Sequence, residues 1–177
     1  LNIITPNYIN LILFSLSILM HQTFANFLKS IQQSIGGTSG ILIQFPLYFG
    51  IMGIMNQSGL VNIMSSFFVT ISNENTFPVL TFLSAGIVNI FVPSGGGQWA
   101  IQGPIIIEAI QASNCNISIE KSVMALAYGD QITNMLQPFW ALPLLAITGL
   151  KAKEILPYTL ILFFIGTIIF ISGLLLF

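Results

Sequence analysis

Asp130 is the single aspartate of the chain, and it stands near the middle of residues 122–148, which carry no other charge. A carboxylate at bilayer depth costs about 2.5–3.5 kcal/mol on insertion scales, so an aspartate in such a run is a site hypothesis from the outset. The residues after it fit that idea. Gly129-Asp-Gln-Ile-Thr-Asn-Met-Leu-Gln-Pro138 reads as a helix that unwinds and restarts. Thr133, Asn134 and Gln137 offer side-chain oxygens there, and unwound carbonyls add more. Oxygen ligands of this kind suit a hard cation such as Na+, with Asp130, Thr133 and Asn134 as the coupling-ion residues. Asp130 could instead take up a proton. The plainer reading has Asp130 capping a half-helix or facing a water-filled crevice, and the two readings are compatible.

A second group of candidates is uncharged. Phe91-Val-Pro-Ser-Gly-Gly-Gly-Gln-Trp-Ala-Ile-Gln-Gly-Pro104 sets three consecutive glycines and two prolines between apolar runs. In lipid, broken helix is tolerated only where it is buried in protein or lines a cavity. Bare glycine N–H groups admit a ligand, and a helix restarting near Trp99 presents its positive end. Ser94, Gly95, Gly96, Gly97 and Gln98 therefore form a candidate carboxylate site, joined by Thr133 and Asn134 from the other break. The alternative is a tight turn that needs glycine only for positive φ. Trp99 and Trp140 are candidates for the apolar wall of a pocket, against simple packing or interfacial anchoring. Glu108 is second-tier. His21 reads as a helix-end or packing residue, and Cys115 has no visible role.

The elements that position these residues belong to a membrane chain. Hydrophobic residues make up 55% and charged residues 5%, with mean hydropathy +0.92, whereas soluble domains carry roughly 25% charge. The net charge of -1 leaves no nucleic-acid footprint. One cysteine and one histidine leave no internal disulfide, no Cys/His metal cluster and no bis-histidine haem. No organic cofactor is expected. The sequence opens on Leu1, which suggests a fragment or a truncated reading frame.

Apolar periodicity predicts an all-α integral membrane fold. Residues 9–28 are long enough for one span. Residues 29–40 read as a polar, glycine-rich connector, and 41–55 as a second apolar run kinked at Pro46. Leu60, Ile63, Met64, Phe67, Phe68 and Ile71 share one face, the pattern of an amphipathic helix lying in the interface. Residues 78–92 and 99–112 are two half-length arms joined by the glycine tip, a re-entrant hairpin in preference to one long kinked span. Residues 113–121 form a polar loop, Lys151 to Glu154 another, and 155–177 a last span. With this order Lys29, Lys151 and Lys153 share one side, which the positive-inside rule makes cytoplasmic, so that the hairpin enters from outside.

Residues 93–104 and Gly129-Asp-x-x-Thr-Asn-Met-x-Gln-Pro-Phe-Trp-Ala-Leu-Pro143 resemble the signature stretches of the short-chain fatty acid transporter family. Leu150-Lys-Ala-Lys153, Gln44-Phe-Pro-Leu-Tyr48 and Phe77-Pro-Val-Leu-Thr-Phe-Leu-Ser-Ala-Gly86 also resemble it, so the likeness covers nearly the whole chain. It implies symport of small monocarboxylates such as acetoacetate or butyrate with H+ or Na+, across the inner (cytoplasmic) membrane by a multi-pass protein. The family is similar to a wider superfamily of ion transporters built from two inverted repeats, each with an interfacial helix, a re-entrant hairpin and a broken helix, and working as elevators. By that resemblance residues 1–77 are scaffold-like helices, 78–148 the transport-domain-like hairpin and broken helix, and 149–177 a cytoplasmic loop and final span. The chain matches one repeat, the C-terminal one; the N-terminal repeat is its missing partner, and a homodimer is compatible with the family. Two other readings stand beside this one. The chain could be a non-transporting fragment or one half of a split transporter. Tyr128-Gly-Asp130 is also similar to half of an intramembrane aspartyl protease, but that chemistry needs two carboxylates sharing a proton, and no second aspartate exists. The chain is therefore not expected to be an enzyme.

Overall fold

The computed structural model describes residues 4–112, 117–137 and 139–176. Every regular element among them is helical. Cys115 and the rest of 113–116, like Pro138, lie outside the described residues. Residues 1–40 and 41–177 form two compact units.

In the first unit, α1 (Pro6–Met20) starts with Pro6 at its first position and Thr5 as cap, the Thr5 hydroxyl accepting from the Tyr8 amide at 3.2 Å. It ends at His21, whose Nδ1 lies 2.6 Å from the Ser17 carbonyl oxygen, the helix-end role expected for it. Gln22 then takes φ 60, and α2 (Phe24–Gln57) begins after Thr23, whose hydroxyl accepts from the Asn26 amide. Residues 9–28 are thus two helices, with α1 and Phe24–Gly36 meeting at 117°. The polar trio His21, Gln22 and Thr23 supplies the turn that an uninterrupted apolar run would lack. Residues 29–40 are helical too. Ser34, Thr38 and Ser39 donate their hydroxyls to the carbonyls of Ser30, Ile35 and Gly36, which keeps these polar side chains within helical geometry. Each glycine there costs only about 1 kcal/mol relative to alanine.

The second unit carries the candidate site. α3 (Leu60–Thr70) runs on the expected residues, but its apolar stripe is not its buried side. Val61 and Ser65 are buried, while Leu60, Ile63, Phe67 and Ile71 of the apolar stripe are exposed. α4 (Phe77–Phe91) and α5 (Gly95–Ala112) are the two arms. Pro93 ends α4, because proline has no N–H to continue the ladder and holds the preceding residue out of the helical region; Val92 has φ -124 and ψ 72. α6 (Ile119–Thr133) passes into a 3-10 turn, Asn134–Leu136, then extended backbone at Gln137. α7 (Leu142–Thr148) closes on Gly149 in the left-handed region, and α8 (Ala152–Leu176) follows.

α4 and α6 are the most closely packed pair. Their contact is built from small residues. A Cβ on Gly86 would come 3.1 Å from Thr133 Cγ2, and one on Gly129 would run into the Phe82 carbonyl. Small residues let two helices approach closely, the usual device where lipid supplies no hydrophobic drive for packing. Phe77, Ala85, Ile106, Ile110 and Leu126 form a core between α4, α5 and α6. α8 packs on α6 and α4 through Phe82, Ala125, Ile132 and Leu174, with Tyr128 and Phe170 stacked at 4.4 Å.

The distribution of polarity is that of a chain in lipid. Gln98, Gln102 and Asn89 are among the largest fully buried side chains, whereas Ile161, Phe164, Ile168 and Ile169 of α8 are exposed. Buried polar groups and broad exposed apolar surface are the informative exceptions to the soluble pattern. Among the described residues α8 alone is long and apolar enough to cross a membrane, with mean hydropathy 2.6; the bent pair α1 and Phe24–Gly36 reaches that standard only if it is one span.

Candidate functional site

The hairpin tip is tighter than its sequence suggests. α5 starts at Gly95, four residues before Trp99, so the three glycines form its first turn. Ser94 caps it: the Gln98 amide donates to the Ser94 carbonyl at 2.7 Å, and the Gly97 amide reaches the Ser94 hydroxyl at 3.3 Å. Ser94 is therefore a cap first, which removes one orphan donor of the helix start. Gly95 and Gly96 are exposed.

Gln98 points inward. Its Nε2 donates to the Ala85 carbonyl at 2.8 Å and to Gln102 Oε1 at 2.7 Å. Gln102 in turn donates to the hydroxyls of Ser65 at 2.8 Å and Ser84 at 3.1 Å. A buried polar line thus joins α3, α4 and α5. Ser65, Ser84 and Gln102 were not among the sequence candidates, although the i, i+4 spacing of Gln98 and Gln102 in an apolar arm is a visible signal.

The break after α6 is organised by Asn89, which the sequence reading also passed over. It is 1% exposed. Its Nδ2 donates toward the Asp130 carbonyl at 2.6 Å, Thr133 Oγ1 at 3.0 Å and Asn134 Oδ1 at 2.9 Å. Gln137 Nε2 donates to the Asn89 carbonyl at 3.2 Å. Thr133, Asn134 and Gln137 are brought together as the spacing implied, but around Asn89 of α4: the Thr133 and Asn134 oxygens accept from its side-chain amide, and Gln137 donates to its backbone carbonyl. The helix unwinds at Thr133 and Asn134 and not at Gly129, whose lack of a side chain serves the α4 contact.

Asp130 and the glycine tip meet. A Cβ on Gly95 would lie 3.2 Å from Asp130 Oδ2. The carboxylate therefore sits at the start of α5, where the helix presents its partial positive charge. Its Oδ1 is buried and has no hydrogen-bond partner among the described residues. The remaining candidates are placed apart. The Trp99 ring lies on Gly103 of its own helix. Trp140 borders a cleft of about 260 Å³ with Asn134, Met135, Gln137 and Leu156, and packs edge-on against Phe139 at 5.0 Å. Glu108 is on the exposed face of α5.

A helical hairpin, a broken helix, a buried polar seam between them and broad exposed apolar surface belong to an all-α membrane protein. The comparisons with known proteins name the kind. The family model described as short chain fatty acid transporter matches residues 1–177. A relative from Escherichia coli (strain K12), provisionally named a short-chain fatty acid transporter, is 46% identical over 98% of this chain and 39% of its own length. One from Haemophilus influenzae (strain ATCC 51907 / DSM 11121 / KW20 / Rd), with the same provisional name, is 43% identical over 97% of this chain and 38% of its own. The chain belongs to the short-chain fatty acid transporter family, and family membership speaks for a transporter, not an enzyme. It spans about two fifths of the length of the curated relatives it matches. No solved structure matches it.

Proposed function

We propose that the chain is the C-terminal portion of a cation-coupled transporter for short-chain fatty acids such as acetoacetate or butyrate, with H+ or Na+ as the coupling ion. One observation carries this reading: the Asp130 carboxylate stands against Gly95, at the helix start best suited to a substrate carboxylate. Two carboxylates at that point repel. At about 4 Å and an effective dielectric near 20 the cost is roughly 4 kcal/mol, about a thousandfold in affinity. A proton on Asp130, or a cation beside it, removes that cost and ties substrate binding to ion binding. Ser94, Gly95, Gly96, Gly97 and Gln98 then frame the substrate end, with Thr133 and Asn134 behind it. The cleft beside Trp140 offers an apolar neighbourhood for the acyl chain. It would hold a four-carbon acid, whose six (butyrate) or seven (acetoacetate) non-hydrogen atoms fill at most about 210 Å³ at the volume of a liquid water each.

In the same reading residues 1–77 act as scaffold, 78–148 as the moving transport part and 149–177 as loop and last span, in one of two inverted repeats of an elevator in the inner membrane. The second repeat comes from a preceding part of the protein or from a separate subunit. A second reading, a split half or a non-transporting fragment, draws on the share of the relatives' length that the chain covers.

The test is uptake of labelled butyrate by the transporter that contains this chain, with Na+ and pH varied independently. Uptake should rise with inward Na+ at fixed pH or with falling external pH at fixed Na+. Uptake indifferent to both gradients would overturn the coupling. For the hairpin, single cysteines at Ser94 and Gly97, in a chain whose Cys115 is replaced by serine, should react with external impermeant thiol reagents in at least one state. Protection under every condition would count against a re-entrant tip.

A further inference from the structure

The two ends of α3 are joined to their neighbours in different ways. At its start Gly59 follows α2 with φ 72, offers no side chain as a cap, and would meet nothing within 4 Å if it carried a Cβ. At its end the turn into α4 is fixed by side chains. Asn73 Oδ1 accepts from the amides of Asn75 at 3.2 Å and Thr76 at 3.1 Å, and Thr76 Oγ1 accepts from the Asn73 amide at 3.0 Å. The Asn73 carbonyl also takes the Phe77 amide at 2.8 Å. Side chains used in this way hold a turn in one shape. A glycine with open space around it leaves its backbone free to turn.

Along its length α3 is tied to the hairpin by polar bonds. Gln102 of α5 donates one amide N–H to Ser65 of α3 and the other to Ser84 of α4, while its Oε1 accepts from Gln98. The amide is saturated and its orientation is fixed. Ser65, Ser84 and Gln102 are 2%, 5% and 1% exposed. Withdrawing α3 would strand a Gln102 N–H where no water replaces the lost acceptor, a costly separation at membrane depth.

The contact with α2 is of another kind. Met52 and Met55, near the end of α2, meet α3 and α4 in an apolar cluster with Val61, Met64, Val88 and Val92. Nothing directional is lost when such a surface slides, and methionine repacks readily against a new neighbour.

We infer that α3 is carried with the hairpin as one body, with Gly59 as the joint and the methionine face of α2 as the surface past which that body moves. Hinges are residues at element ends that absorb a backbone change, and Gly59 meets that description where the turn at Asn73 does not. The inference rests on the reading of residues 78–148 as a moving part. It advances the start of that part to Leu60, against the division at residue 77 that the family resemblance implies. Gln102 becomes a positioning residue, since it fastens α3 to both arms of the hairpin.

Spin-label distances in the transporter that contains this chain, with its own cysteines replaced by serine, test the joint. Ile54 of α2, Ile63 of α3 and Gln111 of α5 are exposed, so labelled cysteines there leave the packing alone. The Ile63→Cys and Gln111→Cys pair should give one distance, the same with and without butyrate, Na+ or acid pH. The Ile54→Cys and Gln111→Cys pair should give a distance that shifts among these conditions. Shifts in both pairs would overturn the inference and leave the moving part standing. Two fixed distances would overturn the moving part, and the joint with it. A functional test uses Ser65→Cys with Ser84→Cys, two thiols against the same Gln102 nitrogen. Bridging them with Hg2+ should leave butyrate uptake as it was before bridging. Uptake lost on bridging and restored by a thiol reductant would overturn the inference. If that pair fails to fold, the distances decide. Uptake absent throughout, with the distances as expected, would remove butyrate as substrate and leave the joint in place.

Discussion

Asp130→Asn is expected to abolish ion-driven accumulation of substrate by the transporter that carries this chain, while leaving the fold intact. The substitution keeps the shape of the side chain. Asp130 Oδ1 has no hydrogen-bond partner among the described residues, and the contacts that organise the break use the Asp130 backbone carbonyl, which the variant retains. What disappears is a charge and, in the proposed reading, the group that takes the coupling ion. On that reading a substrate carboxylate at the start of α5 meets a penalty of roughly 4 kcal/mol in the parent until Asp130 is neutralised. Substrate affinity should therefore rise as the coupling ion is supplied, by up to about a thousandfold. The asparagine variant resembles the neutralised state permanently, so its affinity should be high and insensitive to that ion. Substrate exchange across the membrane should survive, because it needs no net ion movement, whereas accumulation against a gradient should vanish. Counterflow and net uptake, measured side by side, separate these outcomes. A variant that still accumulates substrate under a sodium or proton gradient would remove Asp130 from the coupling role.

The juxtaposition behind this expectation was half visible in the sequence. A lone carboxylate in an uncharged run and a glycine triplet between apolar arms each announce a site, because each is costly in lipid without a reason. Their meeting follows from hairpin geometry, which returns α5 alongside α4 while α6 packs on the same helix. Asn89 was harder to see. It is uncharged and sits inside α4, where an isolated amide raises no alarm; its importance comes from Asp130, Thr133 and Asn134, some forty residues away. Gln102 was obscured in the same way, since its partners Ser65 and Ser84 lie on two other helices. Local chemistry misled at two places. The hydroxyl-rich stretch 29–40 looked like a loop, yet its side chains bond to their own helix. Gly129 looked like a breaker, yet it is a spacer between helices. Glycine between apolar residues reads the same in both roles, and only the partner helix tells them apart.

That second role makes Gly129→Ala the most damaging small change in the seam. An added Cβ at Gly129 would run into the Phe82 carbonyl and would stand 2.9 Å from Ala85 Cβ and 3.0 Å from the Gly86 amide nitrogen. None of these is the movable end of a long side chain. Two are backbone atoms of α4 and the third is fixed to its backbone, so the two helices must separate. Separation would also pull Asn89 away from the Asp130 carbonyl and Thr133, breaking the contacts that hold the site. Overpacking a close contact costs about 1–3 kcal/mol and at times more; here the upper end applies, about 3 kcal/mol. Gly86→Ala is the internal control. Its nearest neighbours are Thr133 Cγ2 at 3.1 Å and the Gly129 carbonyl at 3.5 Å, a tight fit that a few tenths of an ångström would relieve. Thermal melts of the two variants in the same detergent should show a large loss for Gly129→Ala and a much smaller one for Gly86→Ala. Equal losses, or the reverse order, would mean that α4 and α6 do not cross at Gly129. The placement of Asp130 against the hairpin tip would then lose its support, because that same crossing holds Asp130 where Gly95 begins α5.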